Sequence, residues 1–120
     1  MWYYFHWIKY YDYYFNFYLG VIILFFSKNS YVQINDDVFT SKGENNFVIL
    51  NLQTGIYFGL DEMGAYLWEL FVKHKKVSKV VQQVLSEYDV TEEQVLHDID
   101  VFLKALVDHN LVTVKDYVEN

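Results

Sequence analysis

An α+β fold, a small antiparallel sheet followed by three helices, is what this chain of 120 residues predicts. Three observations carry the prediction. Residues 50–71 run from a hairpin pattern straight into an amphipathic helix with no linker between them. Residues 77–111 then add two more segments with apolar side chains at helical spacing. Three strand-like runs precede the helices.

The first strand is a short extended run at residues 38–41, closed by the turn-rich Lys42-Gly43-Glu44-Asn45-Asn46. Phe47, Val48, Ile49, Leu50 and Leu52 follow in an almost continuously apolar run, the pattern of a strand covered on both faces. Gln53-Thr54-Gly55 makes a hairpin loop in which Gly55 supplies the positive φ that such loops need. The returning strand, residues 56–60, puts Ile56, Phe58 and Leu60 on one face and Tyr57 with Gly59 on the other. The three strands form a meander.

Asp61 stands at the N-cap position of the first helix, where its carboxylate can accept backbone N–H groups. Leu67, Trp68, Leu70 and Phe71 are that helix's apolar stripe. Lys73-His74-Lys75-Lys76 is a polar break, and Ser78 is the expected cap of the second helix, whose apolar face is Val80, Val81, Val84, Leu85 and Tyr88. Thr91-Glu92-Glu93-Gln94 reads as a capping box. The third helix runs to about His109 with Val95, Ile99, Phe102, Leu103 and Leu106 at helical spacing. Asn110 can take the left-handed position that ends it, with Leu111 folding back as its apolar partner. Residues 111–114 are a further extended piece.

Three strands followed by three helices is the winged helix-turn-helix arrangement with its sheet first, but a fold of this kind does not settle function. Composition narrows the choice. The length suits one domain with a sufficient core. There is no cysteine, so thiolate metal sites, disulfides and cysteine nucleophiles are excluded. All nine basic residues are lysines, so no guanidinium fork can recognise phosphate or carboxylate. The formal net charge of −7 opposes a polyanionic partner. No phosphate-cradling glycine loop is present, and Ser78 and Ser86 have no histidine and acid placed around them. Glu92 and Glu93 belong to a helix first turn, where negative charge suits the dipole. A binding module fits these features better than an enzyme.

Residues 1–26 differ from the rest, holding 14 of the 25 aromatic residues with only Lys9 and Asp12 charged. Residues 1–30 are therefore set apart as an aromatic extension, and residues 31–116 as the folded domain. Three readings of the extension stand open. The uncharged run 13–26 falls short of the ~20 apolar residues of a spanning helix, although a membrane-associated segment fits its composition. Its Tyr, Phe, Ile, Asn and Lys are also the residues of A/T-rich codons, as in upstream DNA translated from a mis-assigned start. Third, the segment can be an ordered part of the fold.

Residues 51–64, Asn-Leu-Gln-Thr-Gly-Ile-Tyr-Phe-Gly-Leu-Asp-Glu-Met-Gly, closely resemble the signature of the PqqD-like family. That signature is a hairpin "GxYfxLNxxG" followed by an "xxIWxLL" helix, matched here by Tyr66-Leu67-Trp68-Glu69-Leu70-Phe71. Residues 86–90, His97-Asp98-Ile99 and Phe102-Leu103 extend the likeness over roughly residues 38–114. Asp61 replaces the usual asparagine and Asn110 the usual glycine, each able to play the same local role. The resemblance implies a cytoplasmic, non-catalytic recognition element with no cofactor. Such an element captures the leader segment of a ribosomally made precursor peptide for a modifying enzyme. The separate, enzyme-free chain looks most like the stand-alone recognition protein of lasso-peptide pathways, whose implied partners are the precursor leader and a separate cysteine leader peptidase. A peptide chaperone for pyrroloquinoline quinone, working with a radical enzyme, is the near alternative.

The family's mode of binding is β-augmentation, in which an extended leader adds a strand to a sheet edge. Carried onto this chain, that edge is Gly55, Ile56, Tyr57, Phe58 and Gly59, expected to be unpaired. The third helix forms the other wall through Val95, Asp98, Ile99 and Phe102. His97 and Asp100 have an i, i+3 spacing that could reach a metal, but lack a third convergent ligand. Lys73, Lys75, Lys76 and Lys79 read as a solvated turn. A winged-helix DNA-binding regulator is the rival from another class. It sits poorly with a third helix carrying Glu92, Glu93, Asp98, Asp100 and Asp108 against Lys104.

Overall fold

The computed structural model describes residues 2–4, 26–44 and 46–116, and among these residues five short strands precede three helices and a sixth strand follows them. The strands are β1 (Trp2–Tyr4), β2 (Ser30–Ile34), β3 (Val38–Lys42), β4 (Phe47–Asn51), β5 (Ile56–Leu60) and, after the helices, β6 (Val112–Asp116). The helices are α1 (Glu62–His74), α2 (Val77–Glu87) and α3 (Glu92–Asp108). The expected meander is present: β3 pairs antiparallel with β4, and β4 with β5. Gly55 closes the β4–β5 hairpin at φ 72°, a conformation that costs a residue with a Cβ.

The expectation that β4 is covered on both faces is corrected. Phe47, Ile49 and Asn51 are buried, Val48 and Leu50 only half so, and Leu52 is exposed. The helices cover one face of the sheet and leave the other open, so side-chain alternation decides burial.

A second sheet was not anticipated. β2 pairs antiparallel with β6 from Ser30↔Asp116 to Ile34↔Val112. The extended piece expected after α3 is real, but it runs two residues further and has a partner. The boundary drawn between residues 30 and 31 falls inside β2, where Ser30 is wholly buried. Upstream of it, Phe26 packs against the core and Ser27 Oγ lies 3.4 Å from Ser30 Oγ.

The helix ends follow local chemistry. Asp61 accepts from the Gly64 amide at 2.7 Å. A Cβ at Gly64 would lie 3.0 Å from the capping oxygen, a tight contact to which the Asp61 side chain would have to yield. Thr91 accepts from the Gln94 amide at 3.2 Å. Ser78 does not cap α2: the helix opens two residues earlier than such a cap would set, at Val77, with Lys76 as a cap that makes no side-chain bond. The Ser78 amide is satisfied instead by the Lys28 carbonyl at 3.0 Å, a long-range bond that replaces a local cap. At the end of α3, Leu111 N donates to Leu106 O at 2.9 Å and Asn110 N to Val107 O at 3.0 Å, with Asn110 at φ 57°. This is the Schellman pattern, and Leu111 is wholly buried as its apolar member.

One core joins these pieces. Ile49 and Phe58 of the sheet meet Trp68 and Phe71 of α1, Val80 of α2, and Ile99, Leu103 and Leu106 of α3. Leu70 and Leu85 are half-buried at its margin, whereas Tyr88, expected on the apolar face of α2, is exposed. It stacks edge-on against Tyr66 at 5.5 Å. The Tyr66 hydroxyl donates to Glu87, and partial burial, reinforced by that carboxylate, pushes its phenol well above the usual range. Among the described residues no helix is long and apolar enough to cross a membrane. Residues 5–25, on which the membrane reading chiefly rests, lie outside the described residues.

Candidate functional site

β5 is the strand on which every site expectation converges. Its inner side is paired with β4. Its outer side, expected to be free, is not: β1 lies parallel to it with Trp2↔Tyr57, Tyr3↔Phe58 and Tyr4↔Gly59 in register. The sheet order is therefore β1-β5-β4-β3. An edge strand presents a row of N–H and C=O groups that any extended segment can pair. Trp-Tyr-Tyr is such a segment, composed of strong strand formers without proline. The unpaired edge is thus replaced by a short occupied one, and the register reaches only three of the five residues of β5.

Along β5 the side chains divide as the alternation requires. Phe58 is buried, and its ring lies 4.8 Å from that of His109 at 50°. That contact ties the middle of β5 to the C-cap of α3. Partial burial holds the His109 imidazole below its ordinary pKa, against an opposing pull from Asp108. Gly59 is buried, Ile56 half-buried and Gly55 exposed in the hairpin loop. Tyr57 stands on the open face, 44% exposed, at the end of a cross-strand row formed with Leu50 and Phe39.

The expected wall residues of α3 are not all together. Val95, Asp98 and Ile99 line a small recess closed by Met63 and Leu67 of α1 and by Val84 and Tyr88 of α2. Phe102 is 4% exposed and belongs to the core. The recess therefore opens between the helices, and its side wall is α1 and α2 rather than β5.

Another face of α3 was not singled out as a peptide wall. His97, Asp100 and Val101 are buried there, and Asp100 Oδ1 accepts the Phe26 amide at 2.7 Å. Two residues apart on a helix means about 200° of rotation, so Asp98 and Asp100 point to nearly opposite sides. A charged residue at a buried helical position was the available signal, since such groups are rarely buried without a partner. Among the described residues no group of three or more His, Asp or Glu converges as a metal site.

The lysine-rich turn between α1 and α2 is used through its backbone. Lys75 takes φ 64°, its carbonyl accepts from Val32 N at 2.8 Å, and Lys76 bridges to Tyr31. The side chains of Lys73 and Lys75 remain at the surface.

Known proteins match this arrangement. The sequence profile of the family described as coenzyme PQQ synthesis protein D (PqqD) matches residues 46–112. A solved structure of TbiB1 in complex with the TbiA(beta) leader peptide aligns with a TM-score of 0.64 at 34% identity, covering 72% of this chain and 99% of that one. A lasso peptide synthetase B1 complexed with the leader peptide aligns with a TM-score of 0.63, covering 68% of this chain and 96% of that one. Its 18% identity makes it a likeness of fold alone. A search of curated proteins finds no match.

Proposed function

The chain belongs to the PqqD family, and from that premise we propose that it binds the leader segment of a ribosomally made precursor peptide. The leader adds as a strand to the outer edge of β5. The chain holds it for a separate enzyme, a leader peptidase in a lasso-peptide type of pathway, and does no chemistry itself. Binding takes place in the cytoplasm, where the precursor is made. The observation that carries the reading is that the outer edge of β5 already accepts an added strand, in register with Tyr57–Gly59.

Magnitudes decide where affinity comes from. About five ladder hydrogen bonds at ~0.5–1.5 kcal/mol each roughly offset the ~2–5 kcal/mol of ordering a disordered leader. Side chains must supply the surplus, at ~1.5–3 kcal/mol for each apolar group buried. Gly55, Ile56, Tyr57, Phe58 and Gly59 provide the ladder. Tyr57 provides exposed aromatic surface beside it. The recess at Val95, Asp98 and Ile99 opens between the helices, so it takes a leader side chain only from residues that run on past β5 onto α3, and Phe102 stays in the core.

The test is a search of the neighbouring genes for a short precursor reading frame, followed by fluorescence polarisation with its labelled leader. Saturable binding that weakens in a Tyr57→Ala variant is expected. Absence of binding, both to the parent and to a chain whose β1 pairing has been broken, would sink the reading. A DNA-binding role is disfavoured by the acidic α3, and salt-sensitive binding to duplex DNA would revive it.

A further inference from the structure

We infer that the chain's own N-terminal strand is a displaceable occupant of the β5 edge, setting a threshold that any incoming strand has to exceed. The inference rests on the leader reading only for the identity of that incoming strand. Two described contacts fix the occupant. β1 pairs with Tyr57–Gly59 at one end, and the Phe26 amide is held by the buried Asp100 of α3 at the other. The chain therefore leaves the edge of β5 and returns against α3, anchored on both elements expected to flank a bound leader.

The pairing suits an occupant that can be removed. It is parallel, slightly weaker per residue than an antiparallel ladder, and it covers three of the five residues of β5. A strand that spans all of Ile56–Leu60 makes more bonds. Tethering compensates in the resting state: a linked segment faces its site at an effective concentration of the order of mM. If the untethered segment binds at about 0.1 mM, the edge is occupied some ten parts to one. An incoming strand then binds about tenfold more weakly than to an open edge, because only the open fraction is competent.

The experiment uses the full chain and a Tyr3→Pro, Tyr4→Pro variant, which removes two of the three backbone donors of β1, with Tyr3→Phe, Tyr4→Phe as the control that keeps them. Amide exchange is followed residue by residue. In the parent, the amides of Tyr57–Gly59 should be protected on both sides of the strand. In the proline variant, those facing away from β4 should exchange about tenfold faster, while the centre of α3 stays protected and the melting temperature falls by only several degrees. The second probe is a fluorescein-labelled peptide of residues 1–8 with a lysine tail, supplied in trans. It should bind the proline variant about tenfold more tightly than the parent or the phenylalanine control.

Unprotected outward amides in the parent, or equal peptide affinity for all three chains, overturn the inference. Protection that disappears on dilution also overturns it, since the strand would then come from a second copy. None of these readouts involves a precursor leader. A leader that fails to bind the proline variant counts against the leader reading alone.

Discussion

The Asn51 side-chain amide donates to the Asn110 carbonyl at 3.4 Å, joining the end of β4 to the left-handed residue that terminates α3. Asn35 Nδ2 donates to the same carbonyl at 2.5 Å, and Asn51 Oδ1 accepts the Gln53 amide at 2.9 Å. One buried side chain thus shapes the β4–β5 loop and fixes its distance from the helix behind it. With the Phe58–His109 contact, it sets how the outer edge of β5 stands relative to α3.

Asn51→Ala deletes two hydrogen bonds, to the Asn110 carbonyl and from the Gln53 amide, and at ~0.5–1.5 kcal/mol each should cost ~1–3 kcal/mol. Asn110→Gly keeps the carbonyl and suits the positive φ, so its cost should stay within about 0.5 kcal/mol. Asn110→Val, forced into a left-handed conformation, should lose about 1–2 kcal/mol. Urea midpoints of the three variants check the order.

Lys75 is the other non-glycine residue at positive φ. Lys75→Gly should relieve ~1–2 kcal/mol of left-handed strain while adding ~0.5–1 kcal/mol of chain entropy to the unfolded state. The net is a gain of up to about 1.5 kcal/mol, seen as a raised urea midpoint. A lowered midpoint would mean that the Lys75 side chain contributes more than its backbone costs.

His109 has a folded pKa below its ordinary value, with partial burial as the larger cause. Its contribution to stability is therefore complete above about pH 6.5, where both states hold the ring neutral. As pH falls through that value the unfolded chain takes up the proton first. Stability then drops until the folded ring protonates too. An NMR titration of His109 should give a midpoint below 6.5, and a His109→Phe variant should flatten this part of the pH–stability curve. A midpoint above 6.5 would show that Asp108 outweighs burial.

Tyr57 and Phe102 should separate binding from folding. Phe102→Ala empties a core position and should cost about 3–5 kcal/mol, so any loss of leader binding in it is uninformative. Tyr57→Ala alters a side chain 44% exposed on the open face. It should change stability by about 0.5 kcal/mol or less while weakening leader binding about tenfold. Calorimetry and polarisation on the same samples read both.

Much of the domain was legible because its determinants are local. The hairpin at Gly55, the caps at Asp61 and Thr91, the turn at Asn110 and the stripes containing Trp68 and Ile99 each depend on residues within a few positions of one another. Asp100 was not legible as an anchor, because its partner is the Phe26 amide. Nor was β2, whose alternation of Ser30, Val32 and Ile34 inward is too short to stand out without β6 beside it.

The sequence by itself determined the meander, the three helices, the caps of α1 and α3, and the family likeness centred on residues 51–71. Periodicity, capping and turn conformation are written in neighbouring side chains. Only the tertiary structure decided that β2 pairs with β6, that Val95, Asp98 and Ile99 face α1 and α2, and that the edge of β5 is occupied by Trp2–Tyr4. Backbone hydrogen bonding between strands is blind to side-chain identity. Which extended segment fills an edge is therefore settled by where the rest of the fold brings it.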